Sequence, residues 1–289
     1  MYNHIPVLLN EVINHLKPEP NHFLIDGTVG QGGHAHAFLQ RALPDGRLLG
    51  IDRDTSNLAI AKERLAEFGN NVILVQDSFA NAKTHAYAHK FTSVNAVLLD
   101  LGFSSAHVDD PERGFSFALD GPLDMRYDQT QELSAEQIVN TWSEDELARI
   151  IRMYGEDRNA RRIAEAIVEQ RANSPISRTK ELAECIARRV RRTGKIHPAT
   201  KTFQALRIVV NDELGELERA LPELVKLLAT GGRIAVISFH SLEDRIIKQF
   251  FKTDPNLEVI TKRPITASQE ELKQNPRSRS AKLRVAQKN

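Results

Sequence analysis

Short apolar segments, each closing on an aspartate, recur through the first hundred residues: FLID at 23–26, RLLGID at 47–52, NVILVQD at 71–77 and VNAVLLD at 94–100. Runs this short, rich in branched residues and apolar at consecutive positions, fit strands buried on both faces. Between two of them, TSNLAIAKERLAEFG spaces Leu58, Ala61, Leu65 and Phe68 along one helical face. Strand and helix in alternation predict a parallel sheet with right-handed crossovers. Ligands of such sheets bind beyond the carboxyl ends of the strands, so the pattern brings Asp26, Asp52, Asp77 and Asp100 to one crevice.

From about Ser134 to Lys195 the pattern changes to helices without strands. Ser134 with Gln137 and Ser143 with Glu146 are capping-box pairs, and Leu147, Ile150, Ile151 and Tyr154 form one apolar face before Gly155. Alternation resumes after about residue 200: Leu217, Ala220, Leu221, Leu224, Val225 and Leu228 make a long amphipathic stripe, and GGRIAVISF follows as a turn and a buried strand. The expected organisation is one α/β domain, 1–105 and 200–289, interrupted by a helical insertion at 106–199.

The stretch FLIDGTVGQGGHAHAFL runs the first strand into a glycine cluster and then a helix. Glycines at 27, 30, 32 and 33 let the backbone turn sharply and approach a ligand, with a helix N-terminus pointing at it. A phosphate-binding loop needs Gly-Lys-Ser/Thr where this chain has Gly-Gly-His, and the spacing G-x-x-G-x-G-G departs from the dinucleotide fingerprint. Asp52, about 20 residues on at the next strand end, suits the two hydroxyls of an adenosine ribose. Asp77 and Phe79 suit an adenine's amine edge and ring face. Asp26 and Asp100 attract positive charge. Together they describe S-adenosylmethionine better than a pyrophosphate cofactor.

Composition narrows the alternatives. The chain has 289 residues, 41% hydrophobic, with a formal net charge of +1. Two basic segments stand out, RRVRRTGK at 188–195 and NPRSRSAKLRVAQKN at 275–289, neither containing an acid. Such runs are candidates for contact with a nucleic-acid backbone. Its one cysteine, Cys185, excludes an internal disulfide and a multi-cysteine zinc site, and its helical spacing marks it as packing. No apolar run approaches the ~18 residues that cross a bilayer, and the N-terminus lacks a signal peptide's features, so a cytoplasmic location is expected. No metal site is expected: His34 and His36 face different directions on their helix. His240 reads as a structural histidine before a pocket residue.

Ordered motifs along nearly the whole chain resemble the bacterial 16S ribosomal RNA cytosine-N4 methyltransferase family (RsmH, formerly MraW). They are HIPVLLNEV at 4–12, DGTVGQGGH at 26–34, DLGFSS at 100–105, RGFSF at 113–117, PLDMR at 122–126, FQALRIVVNDEL at 203–214, GGRIAVISFHSLEDRIIK at 231–248 and NPRSRSAKLR at 275–284. The resemblance implies a Rossmann-like class I methyltransferase sheet carrying an all-helical substrate domain. It also implies S-adenosylmethionine as cofactor and 16S ribosomal RNA, within the small subunit, as partner. Gly32, Gly33, His34, Asp52, Phe79 and Asp100 become cofactor contacts. His107 stands where the family has glutamine, in SSAH instead of Ser-Ser-Pro-Gln, and retains the ability to make one hydrogen bond there.

Methyl transfer from a sulfonium is a direct displacement, so the enzyme must chiefly align the amine with the methyl group. The loop after the fourth strand supplies Ser104, Ser105 and its own carbonyls to orient the amine, and Phe103 as a stacking face. Arg113, Phe115, Phe117, Asp124 and Arg126 are expected near the path of a splayed-out base, with Phe115 and Phe117 equally readable as core. Rival readings are a methyltransferase acting on DNA or a protein amine, a non-catalytic RNA-binding or assembly factor on the same fold, and, more remotely, a nicotinamide oxidoreductase.

Overall fold

The order of elements follows the alternation read from the sequence. A computed structural model describes residues 5–102, 105–191 and 196–289, with the side chains of 105 and 106 outside that set. The chain forms two units, Met1–Gly102 with Leu214–Asn289, and Phe103–Glu213.

In the first unit the order is α1 (Leu9–Leu16), β1 (Phe23–Asp26), α2 (Gly33–Ala42), β2 (Arg47–Asp52), α3 (Thr55–Arg64), β3 (Val72–Gln76), α4 (Ala82–Ala88) and β4 (Val94–Asp100). The second unit holds α5 (Ser105–Asp109), α6 (Ala135–Thr141), α7 (Glu144–Gly155), α8 (Ala160–Asn173), α9 (Thr179–Arg189) and α10 (Thr200–Asn211). The chain then returns through α11 (Glu213–Leu227), β5 (Leu228–Ser238), α12 (Ser241–Thr253), β6 (Leu257–Val259), α13 (Gln269–Gln274) and β7 (Lys282–Lys288).

The seven strands lie in the order β3-β2-β1-β4-β5-β7-β6, parallel except for β7, which is antiparallel to both neighbours. Both faces are covered, which is why the strands read as unbroken apolar runs. Ile25, Leu49, Ile51, Val97, Leu99 and Val236 face one layer with α4, α11 and α12. Leu24, Leu48, Ala96, Leu98, Ile237 and Val285 face the other with α1 and α2. The strand order reverses between β1 and β4, so the crevice at their carboxyl ends is the topological switch point.

The helical unit has its own core of Leu147, Ile150, Ile163, Ile167, Leu182, Ile186, Phe203 and Leu206. Both predicted capping boxes form, Ser134 with Gln137 and Ser143 with Glu146. Cys185 is buried, its thiol directed at the Ala166 carbonyl.

One boundary differs from expectation. The α/β unit resumes at Leu214, not 200, because α10 turns Phe203, Leu206 and Val210 into the helical core. The basic tail forms part of the sheet. Its alternation KLRVAQK makes it β7, with Leu283 and Val285 buried in the sheet. Three of its cations are engaged within the fold: Arg284 and Lys282 pair with Asp244 at 2.6 Å and 3.6 Å, and Lys288 donates to the carbonyls of Lys226 and Leu228. No helix among the described residues is long and apolar enough to cross a membrane.

Candidate cofactor site

Asp26 ends β1 and Asp100 ends β4, on either side of the switch point. The glycine loop that follows Asp26 is held by its own backbone. Thr28 N–H bonds back to Asp26 Oδ1 at 3.2 Å, Val29 N–H donates to the Ile51 carbonyl, and Thr28 Oγ1 accepts from Asp100 N–H at 2.5 Å. The loop thereby ties three strand ends together.

Two glycines are required by this geometry. A Cβ on Gly27 would lie 2.6 Å from the Leu99 side chain and 2.9 Å from Phe79 Cβ, so only glycine lets the loop pass beneath Phe79. Gly32, the residue before α2, has φ 78°, in the left-handed region that side chains disfavour. Gly33 then opens α2 and His34 turns inward, 6% exposed.

Asp52 does two tasks with its inner lone pairs. Its Oδ2 accepts from Gly30 N–H at 2.9 Å and its Oδ1 from Asp54 N–H at 2.8 Å. Its Oδ1 also accepts from the Asn57 amide at 3.5 Å. Phe79 opens a short 3-10 turn after β3 and rests partly buried against the sheet core beside Gly27.

Burial and mutual repulsion set the electrostatics of the acids. Asp26 is 1% exposed, and burial, followed by repulsion from Asp52, pushes its carboxyl to about 7 against a bond from Thr28 that lowers it. Burial also raises Asp100, to about 8, with repulsion from Asp26 and Glu243 adding to it. His34 Nε2 stands 3.8 Å from Asp100 Oδ2, and the Asp100 side chain remains 24% exposed. Its other oxygen, Oδ1, is buried with no hydrogen-bond partner among the described residues. Carboxyls packed this way favour a cation or a hydrogen-bond donor that comes in from outside, and they oppose a pyrophosphate.

Not every expected residue joins this cluster. Asp77, expected to meet an adenine amine, is committed to its own segment. Its Oδ1 accepts from Ser78 N–H at 2.7 Å and the Asn81 amide at 2.9 Å, while Oδ2 meets His85 Nε2 at 2.7 Å. Burial opposes its ionisation, but these bonds, His85's first, outweigh burial and hold the carboxyl below its ordinary range. His240 caps α12: its Nδ1 accepts from Glu243 N–H, and Glu243 accepts from the N–H groups of Phe239 at 2.8 Å and His240 at 3.2 Å. Sequence spacing gave no sign that Glu243, 2% exposed, would add its charge to the Asp100 environment.

His107 belongs to the helical unit. It is 3% exposed and stacks on Phe115 at 4.8 Å, with Tyr127 at 5.4 Å completing a three-ring layer. RGFSF and PLDMR, expected near a base, build the unit's scaffold. Arg113 donates to the carbonyls of Arg126 and Tyr127, Arg126 forks onto Asp124, and Phe117 packs edge-on to Phe203. Phe103 and Ser104, the Ser105 side chain and 192–195 of the first basic run lie outside the described residues.

Comparison with known proteins agrees with this architecture. The MraW methylase family profile matches residues 1–289. Ribosomal RNA small subunit methyltransferase H of Nostoc sp. is 52% identical over 291 residues, covering 100% of this chain and 93% of the relative. The protein of the same name from Heliobacterium modesticaldum is 46% identical over 311 residues, covering 100% and 99%. A solved structure from Clostridium thermocellum, described as a candidate rRNA methylase, shares the fold at 15% identity and TM-score 0.50, over 99% of this chain and 100% of that one. A match along the full length, on a sheet whose switch point carries the glycine loop and acidic strand ends, shows that the chain belongs to the MraW methylase family.

Proposed function

We propose that this chain transfers a methyl group from S-adenosylmethionine to the exocyclic N4 amine of a cytidine in the decoding region of 16S ribosomal RNA. The substrate is presented within the small ribosomal subunit, and the reaction takes place in the cytoplasm. The observation that carries this reading is the pair Asp26 and Asp100 at the switch point of a methylase-family sheet, Asp26 buried and Asp100 Oδ1 lacking a partner among the described residues. The names of the full-length relatives support ribosomal RNA as the substrate class.

When bound, the donor supplies a methyl group on positively charged sulfur. Binding and alignment fall to the chain. Asp52 accepts from the ribose hydroxyls, and Phe79 offers a ring face to the adenine. Gly32, Gly33 and His34 frame the amino-acid end, while Asp26 and Asp100 supply the negative field that suits an ammonium and a sulfonium. His107 is the further contact implied by the family pattern, its ring fixed by Phe115 and Tyr127. Ser104, Ser105 and the carbonyls of the loop after β4 orient the cytosine amine, whose lone pair is delocalised and needs acceptors on its N–H groups as the new bond forms. The helical unit recognises the RNA around a splayed-out base.

Incubating the protein with methyl-labelled donor and unmethylated small subunits, then digesting the RNA, tests this. Label in N4-methylcytidine is the expected result, with naked DNA and protein remaining unlabelled. Subunit binding without any label would replace this reading with that of a non-catalytic assembly factor.

A further inference from the structure

The chain's densest basic run has its described charges engaged. Arg188 donates to the Gln170 amide oxygen at 3.1 Å, and Arg189 pairs with Glu165 and Glu169 at 2.5 Å and 3.4 Å. A different set is less engaged. Arg149 and Arg152 on α7, Arg158 in the following turn, and Arg161 and Arg162 in the first turn of α8 are all exposed. Among the described residues Arg152, Arg158 and Arg162 contact no carboxylate. Arg149 reaches the Met153 sulfur at 3.9 Å, and Arg161 stands 4.0 Å from Asp145 with 80% of its side chain exposed.

The acids nearby do not cancel this charge. Between 149 and 162, Glu156 and Asp157 oppose the five arginines, and Asp157 is buried, accepting the Asn159 N–H at 2.8 Å. In the first turn of α7, Glu146 is tied into the Ser143 capping box, which leaves Glu144 and Asp145. Nor does the fold gain from the arrangement. Arg161 and Arg162 sit at the start of α8, where no acid offsets the helix dipole and cations are unfavourable.

We propose that this arginine corner of α7 and α8 is the surface on which the helical unit grips RNA phosphates. The inference rests on the ribosomal RNA reading above and locates part of its substrate contact. Charge complementarity selects the occupant. All five cations are arginine, whose planar fork meets phosphate oxygens two at a time. A lipid surface would call for an apolar face beside the charges, and Met153 is the one large apolar side chain exposed along 149–162.

The triple variant R149Q/R152Q/R162Q tests it, with R152Q/R162Q in reserve should the triple melt early and R41Q as an exposed-arginine control on the other unit. Donor affinity by calorimetry is expected to match wild type. KM for unmethylated small subunits should rise about tenfold or more while kcat at saturation changes less than about twofold. The slope of log affinity for the subunit against log salt should flatten by roughly two, at about 0.7 to 0.9 for each phosphate that is no longer neutralised. A folded triple variant with wild-type KM and salt slope overturns the proposal. So does wild-type binding to phosphatidylserine vesicles as tight as to subunits and abolished in the same variant. Failure of the methylation reading itself would appear separately, as wild type that binds subunits with this salt slope and transfers no methyl group.

Discussion

Asp26 and Asp100 set the pH behaviour of the site. Each carboxyl is raised from an ordinary 3.8, to about 7 and about 8, chiefly by burial. Between those limits the folded chain holds protons that the unfolded chain has released, so the stability of the free protein falls as pH rises from about 4 toward 8. Binding of a cationic donor favours the ionised carboxylates, so its affinity rises over the upper part of the same window. Melting temperature measured from pH 5 to 8 should decline without donor and decline less with saturating donor. A free protein whose melting point climbs over that range contradicts the raised acid pair. Gly27→Ala places a methyl group against Leu99 and Phe79, and overpacking of this kind costs about 1–3 kcal/mol. Chemical denaturation should show that loss, together with weaker donor binding.

Elements with a strong period were legible before the structure. The strand-terminal aspartates, the glycine turn and both capping boxes sit where the pattern placed them, because each is specified by a few adjacent residues. Charged runs were not legible in the same way. The closing segment reads as a basic tail by composition, yet its alternate positions Leu283 and Val285 carry it into the sheet, and Asp244, forty residues earlier, engages its cations. Long-range pairing of that kind leaves no local signature. RGFSF and PLDMR also help build the scaffold of their unit, where Arg113 donates to the carbonyls of Arg126 and Tyr127. At this scale Leu283→Ala should cost about 2–5 kcal/mol in denaturant unfolding. Arg279→Gln, on the exposed turn just before β7, should leave the unfolding midpoint unchanged.

Across the whole chain, one acidic edge of a parallel sheet explains why this family sequence lacks the lysine and serine of a phosphate loop. Pyrophosphate would face Asp26, Asp52 and Asp100, whereas a sulfonium cofactor brings positive charge to them. The family pattern assigns cofactor contacts to this edge, and Asp77 shows how strand-end position differs from local bonding. Its position matched, and its lone pairs were already taken by Ser78, Asn81 and His85. The most direct test of the acidic edge is calorimetric titration of wild type and Asp52→Asn with S-adenosylmethionine, NAD and ATP at pH 8. Wild type should bind S-adenosylmethionine alone, and Asp52→Asn should bind it about 10- to 100-fold more weakly, as expected when a charge-assisted hydrogen bond is reduced to a neutral one. Firm binding of NAD or ATP, with no heat from S-adenosylmethionine, would contradict the account.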